Sequence, residues 1–311
     1  MKKSRRLKQI AFASFLFIAA AFVATELWLR VVYGLGTPPL FEADEYIGYY
    51  YKANQSLYRM GNHFFANEYH QRSDPLMENP DYRILMVGDS VTNGGVWTNQ
   101  NETITEILEK KLNDYYSVKG EVLNAAAESW GIENEFEYVK KFGIFNSDLV
   151  ILQIGSQDLV QPKSLSNSLG TLEKPTTNPI CAIHEALQLK LLKNHEVYST
   201  LPDAEYYIQD NINRNFAKQI IEIIEKNNKS VIILMTPNKN EIGQESSYQE
   251  LKDVFFEFLE SLNISHVNLL DYELGQENYQ DGVHFNKYGN QFVANILFEY
   301  ILEQELILEN D

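Results

Sequence analysis

Two short stretches hold residues able to make an alcohol reactive. The first is ILMVGDSVTNGG, Ile84 to Gly95, where an apolar run ends on Gly88-Asp89-Ser90 and then turns polar and glycine-rich. The second is DGVHFNKYGN, Asp281 to Asn290, where Asp281 and His284 stand three residues apart, ahead of an Asn286 suited to cap a helix. A serine hydroxyl is too weakly acidic to attack an ester unaided. It needs a base, usually histidine, and the histidine needs a partner to fix its tautomer. Asp281 can hold one ring nitrogen of His284 while the other faces Ser90. Taken singly, each stretch also reads as an ordinary turn, because such spacings recur by chance.

Attack on a carbonyl builds negative charge on its oxygen, which needs hydrogen-bond donors. The Ser90 N–H is one candidate. LNAAAESWGIEN, Leu123 to Asn134, offers a backbone N–H from Ser129 or Gly131, and the stretch Gly155-Ser156-Gln157-Asp158 offers the Gln157 side-chain amide. Asp89 and Asp158 are expected to bond N–H groups of their own loops rather than to react.

These pieces must be carried by regular elements. Hydrophobic periodicity predicts strands at Ile84–Gly88, Glu121–Asn124, Asp148–Gly155, Ser230–Met235 and His266–Leu270. Helices are predicted at Thr103–Tyr115, Glu133–Phe142, Ala204–Asn227, Tyr248–Leu262 and Lys287–Leu302. Strand alternating with helix implies a parallel sheet covered on both faces, with ligands bound at the carboxyl ends of its strands. Every candidate residue follows a strand, so all point to one rim. Leu159–Asp203, rich in Pro, Ser, Thr and Asn around a possible helix at Ile180–Leu192, is expected as an insertion or lid.

The order of these motifs resembles the SGNH (GDSL-type) hydrolase family, in its membrane-anchored subgroup. The matching residues are Gly88-Asp89-Ser90, then Asn124 with its AAAESWG loop, then Gly155-Ser156-Gln157-Asp158, then Asp281-Gly282-Val283-His284, within roughly Arg83 to Leu302. The resemblance implies a three-layer α/β/α flavodoxin-like fold. It also implies Ser90 as nucleophile, His284 as base and Asp281 as its orienting acid, with Ser129, Gly131 and Gln157 toward the oxyanion and Asp89, Asn124 and Asp158 in support. Two positions depart from the family pattern. Ser129 stands where glycine is usual, which keeps the backbone N–H. Gln157 stands where asparagine is usual, which keeps the amide but adds a methylene.

The N-terminus adds location. MKKSRRLK is basic, and IAFASFLFIAAAFVAT, Ile10 to Thr25, is apolar. The formal charge of the chain is −17, and setting aside the five tail bases leaves −22 for the rest. The positive-inside rule then puts the tail in the cytoplasm and the body outside, on a single-pass anchor at the cell membrane. A cleaved signal peptide ending near Ala19-Ala20-Ala21 and a buried helix are the other readings of this segment. The expected organisation is a tail and anchor over residues 1–35, a linker with short extended pieces over 36–82, and a catalytic domain over 83–311 that includes the 159–203 insertion. In the linker, the tyrosine-rich stretch Tyr46–Tyr58 either stacks on sugar rings or packs onto the domain, and Trp130 has the same two readings.

An acidic surface repels phosphate backbones, which argues against nucleic-acid partners. Cys181 is the single cysteine, so no intrachain disulfide forms. Cys181, His184 and His195 lack the carboxylates or second sulfur of a metal site, and neither metal nor cofactor is expected. A flavodoxin-like cofactor binder is disfavoured because Asp89 would repel a phosphate. The expected activity is an extracytoplasmic serine esterase or O-acyltransferase, acting through an acyl-serine on short acyl esters of a carbohydrate, acetyl above all. A carbohydrate-binding or assembly protein without catalysis is the alternative. Oligomeric state is not legible.

Overall fold

The computed structural model describes residues 2–192, 212–244 and 248–307. The central sheet has five parallel strands: β5 (Arg83–Gly88), β6 (Glu121–Ala126), β7 (Leu149–Gly155), β8 (Ser230–Thr236) and β9 (Ser265–Asn268). Four short strands precede it in the chain. The spatial order is β6-β5-β7-β8-β9, the flavodoxin-like arrangement whose switch point falls between β5 and β7. β5 and β7 pair in register from Ile84 against Leu149 to Val87 against Leu152. β5, β6 and β7 are buried along their whole length, as strands sandwiched between helical layers must be.

Alternate residues serve opposite faces, following the two-residue period of a strand. Leu85, Val87, Val150, Leu152 and Ile233 join the cluster containing Phe136, Ile220 and Phe255, which belong to α4 (Ile132–Phe142), α6 (Ile212–Lys226) and α7 (Gln249–Ser261). Ile84, Met86, Leu149, Ile151 and Ile232 join Leu108, Leu112, Val293 and Leu297 of α3 (Ile104–Tyr116) and α8 (Lys287–Glu303). Thr103 and Asn286 cap the N-termini of α3 and α8 through their side-chain oxygens. The expected helix at Ala204–Asn227 is described from Ile212 on, and its earlier part lies outside the described residues.

Residues 41–66, expected to hold short extended pieces, form two antiparallel hairpins. One joins β1 (Phe41–Asp44) to β2 (Gly48–Tyr51), and the other joins β3 (Gln55–Arg59) to β4 (Asn62–Ala66). Tyr49, Tyr51 and Phe64 are buried in the same core as α4. Trp130 is buried too, donating its indole N–H to the Tyr49 carbonyl at 2.8 Å. Packing, not an open aromatic platform, is therefore what the structure gives these rings.

The N-terminal helix α1 (Lys2–Tyr33) is long and apolar enough over Arg5–Tyr33 to cross a membrane. Within the 159–203 segment, α5 (Ala182–Leu192) lies against α1, and residues 193–203 lie outside the described residues.

Candidate active site

β5 delivers Ser90 to the rim, and its neighbours dictate how. A Cβ at Gly88 would come within 2.4 Å of Gln153 Oε1 and of Thr92 Oγ1, so only glycine fits where the strand ends. Asp89 then caps the four-residue helix α2 (Ser90–Asn93), its Oδ1 accepting the Val91 N–H at 2.8 Å. Gly94, at φ +79, terminates that turn in the left-handed region that glycine tolerates best. Ser90 is thereby the first residue of a short helix at the exit of a central strand.

His284 arrives from the far end of the chain. Its Nε2 lies 2.8 Å from Ser90 Oγ, across a sequence separation of 194 residues, and its Nδ1 lies 2.7 Å from Asp281 Oδ2. Asp281 Oδ1 accepts the N–H groups of Val283 at 2.9 Å and His284 at 2.8 Å, so one carboxylate both shapes the loop and orients the ring. Partial burial pushes the Asp281 carboxyl up, but those two N–H groups and the His284 ring outweigh it and hold it below the usual carboxylate range. An ionised Asp281 only accepts, so Nδ1 carries the ring proton and Nε2 is free to accept from the Ser90 hydroxyl. The Trp97 ring packs edge-on against His284 with centroids 5.0 Å apart.

The second loop is pinned on several sides. Tyr49 OH donates to the Glu128 carbonyl at 2.6 Å, and the Ser129 carbonyl accepts from Gln161 Nε2 at 3.1 Å and from Ser164 Oγ. Ser129 sits at φ +62, a left-handed conformation that costs a residue with a Cβ. The Gly131 N–H is taken by Asn134 Oδ1 at 3.0 Å. Asn124 points inward instead: its Nδ2 donates to the Thr92 carbonyl at 2.7 Å, tying β6 to α2.

In the third loop Asp158 is fully buried and accepts the Gly155 N–H at 2.7 Å. Burial first, and the nearby Asp89 second, push its carboxyl well above the usual range. Burial also raises Asp89. The Gln157 side-chain amide makes no hydrogen bond among the described residues, and its Oε1 is buried. Cys181 Sγ accepts the His184 N–H at 3.4 Å, His195 lies outside the described residues, and among the described residues no cluster of His, Cys, Asp and Glu is suited to a metal.

Three contributors escape sequence reasoning. Gln153 on β7 accepts from the Asp89 N–H at 3.2 Å and Thr92 Oγ1 at 3.0 Å, and donates to Thr236 Oγ1 at 2.9 Å. Its signal was a lone polar residue inside LVILQIG. Arg72, fully buried, donates to the carbonyls of Asn93, Gly95 and Thr98, each at 2.6 Å. Glu128 lies beside the Tyr51 hydroxyl at 3.4 Å, and burial raises its carboxyl against the pull of Lys174 and His284. Nothing in the sequence marked these last two.

Residues 84–297 match the family model described as GDSL-like Lipase/Acylhydrolase. The chain belongs to the GDSL-like lipase/acylhydrolase family. It is a serine hydrolase by that membership. Among solved structures similar to this chain, the lipase/acylhydrolase from Enterococcus faecalis is 16% identical, with a TM-score of 0.46 over 72% of this chain and 96% of that one. A psychrotrophic esterase from Pseudoalteromonas sp., in a structure inhibited by monoethylphosphonate, is 14% identical, with a TM-score of 0.45 over 72% and 98%. A carbohydrate acetylesterase family member from Sinorhizobium meliloti is 11% identical, with a TM-score of 0.42 over 71% and 98%. No curated protein matches the chain.

Proposed function

We propose that this GDSL-like hydrolase is a membrane-anchored, extracytoplasmic esterase or O-acyltransferase that works on short acyl esters, acetyl above all, of a carbohydrate. The observation that carries the reading is the unbroken chain from Ser90 Oγ through both His284 ring nitrogens to Asp281, with contacts of 2.8 and 2.7 Å. Ser90 Oγ attacks the ester carbonyl carbon while His284 Nε2 takes its proton. The carbonyl electron pair moves onto oxygen, where the N–H groups of Ser90 and Ser129 and the Gln157 amide donate. Collapse of the intermediate breaks the bond to the alcohol, which leaves with the proton from His284. A second alcohol or water, deprotonated by the same ring, then releases the acyl group from Ser90.

The proposed location is supported by α1, whose flank is basic and whose length suits a bilayer. Residues 1–35 serve as tail and anchor, 36–82 brace the domain, and 83–311 form the catalytic unit with 159–203 as its insertion. The substrate class rests on the family together with that location.

Hydrolysis of 4-nitrophenyl acetate by full-length protein in lipid nanodiscs tests the chemistry. Ser90→Ala is expected to lower kcat/KM by at least about 10³-fold. Equal rates in a folded variant would overturn the assignment in favour of a carbohydrate-binding protein without catalysis. A C-terminal tag cleaved by external protease in cells stripped of their outer layers tests the topology, and protection of that tag would reverse it.

A further inference from the structure

Trp97 divides two spaces. On one side its ring packs edge-on against His284, and on the other it forms part of the wall of a cleft of about 340 Å³. Neither Ser90 nor His284 lines that cleft, so one ring separates it from the base. Arg72 grips the carbonyls of Gly95 and Thr98 on either side of Trp97, which fixes the partition. Phe41 and Tyr51 add two more rings to the lining.

Two carboxylates, Glu128 and Glu173, line the same space. Glu128 directly precedes Ser129 and lies close enough to His284 to feel its charge. Its own donors are too few. The Tyr51 hydroxyl stands 3.4 Å from Glu128 Oε1 but only 3.2 Å from Asn93 Oδ1, and it has a single proton to give. The nearby cations are engaged elsewhere. Arg59 pairs with Glu185. Lys174 Nζ donates to Ser129 Oγ at 3.3 Å and lies 5.1 Å over the Tyr49 ring. Burial works against the charge of Glu128, Lys174 favours it from a distance, and Glu173 adds repulsion. Among the described residues neither Glu128 nor Glu173 makes an ion pair.

A carboxylate drawn out of water keeps its charge at least cost when a positively charged donor meets it. A neutral hydroxyl would supply the hydrogen bond and leave the two like charges uncompensated. The ring faces favour a cation as well, and a chain of formal charge −17 draws cations toward its surface. We propose that the cleft binds an ammonium group carried by the substrate, with Glu128 accepting its N–H and so selecting cationic esters. The inference rests on the Ser90 reading above and narrows its substrate class. The ammonium sits on either the sugar or the acyl group, and the test has an arm for each.

Full-length protein in nanodiscs is assayed at pH 7 on two matched pairs. O-acetylglucosamine and O-acetylglucose differ by an ammonium in place of a hydroxyl on the alcohol side. Glycine ethyl ester and ethyl propionate differ by an ammonium in place of a methyl on the acyl side. An ammonium also activates a nearby ester carbonyl, so the quantity read is the change in the ratio of kcat/KM within a pair when Glu128→Gln is made. That ratio is expected to fall by about tenfold or more in one pair, and the pair that responds says which side holds the charge. Glu173→Gln, at an exposed position, is expected to lower the same ratio by about twofold. In parallel, calorimetry compares butylammonium with butanol on Ser90→Ala protein. Butylammonium is expected to bind about tenfold more tightly, and to lose that advantage when Glu128→Gln is added. An active enzyme in which neither ratio depends on Glu128, or butylammonium binding indifferent to Glu128, overturns this inference and leaves the Ser90 reading standing. A wild type inactive on all the esters that binds butylammonium in a Glu128-dependent way supports the ammonium site and overturns the Ser90 reading instead.

Discussion

The Arg72 guanidinium donates to the carbonyl oxygen of Asn93, three residues past Ser90, at 2.6 Å. The same group holds Gly95 and Thr98 and lies 4.8 Å over the Phe64 ring. Burial lowers its pKa to about 10, so it remains charged, its charge met by backbone carbonyls. Arg72→Met would leave those carbonyls buried without donors. An expected loss of about 3 kcal/mol or more follows, read as a lower midpoint in denaturant unfolding. Arg72→Lys keeps the charge but carries its donors on one nitrogen, which does not span the acceptors that Arg72 reaches from Nη1 and Nη2, and is expected to recover less than half of the loss. Unchanged midpoints in both variants would show that the loop holds itself.

Asp281→Asn is expected to lower kcat by about 10²–10⁴-fold with little change in KM, because an amide at this position can present its N–H to Nδ1 and trap the wrong tautomer. The sign of the stability effect is also set. The Asp281 carboxyl is held below its ordinary range when folded, so it stabilises the fold above that range and the benefit is lost as pH falls. Unfolding titrations between pH 6 and pH 3 should show wild type losing more stability than Asp281→Asn.

Glu109 behaves in the opposite sense. It accepts the Val122 N–H at 2.9 Å, and burial pushes its carboxyl up to about 7. Its folded pKa lies above the unfolded value, so the fold is favoured at low pH and that advantage disappears as pH rises through 7. Glu109→Gln keeps an acceptor for Val122 and cannot ionise. Its stability relative to wild type is expected to grow by about 2 kcal/mol between pH 5 and pH 8. A difference that does not change with pH would sink this account.

Ser129 pays for its backbone shape. At φ +62 a Cβ costs about 1–2 kcal/mol, part of which glycine gives back through the entropy of the unfolded chain. Ser129→Gly is expected to be more stable than Ser129→Ala by about 1 kcal/mol, since both lose the contact from Lys174 Nζ to Ser129 Oγ at 3.3 Å and only one keeps the strain. Thermal unfolding of the pair decides it.

The sequence disclosed the sheet because β5, β7 and β8 are short apolar runs between helices with clear periodicity. It singled out Ser90, Asp281 and His284 because each follows a strand or precedes a helix, and the structure brings the three side chains within hydrogen-bond distance. It left open whether Tyr46–Tyr58 packs onto the domain, and it did not disclose the part played by Arg72. Tyr49, Tyr51 and Phe64 carry no strong period, and Arg72 looks like any basic residue until three carbonyls are seen around it. Gly131 shows a further limit: a glycine in the right loop offers an N–H, but only coordinates reveal that Asn134 already occupies it. Long-range partners of single polar groups leave no local imprint on a chain.

Ser90 and His284, the proposed nucleophile and base, are 194 residues apart, and His284 belongs to the last loop before α8. During synthesis the Ser90 hydroxyl therefore exists for a time with no imidazole beside it. On the proposed reading the site is complete only once α8 has packed onto α3.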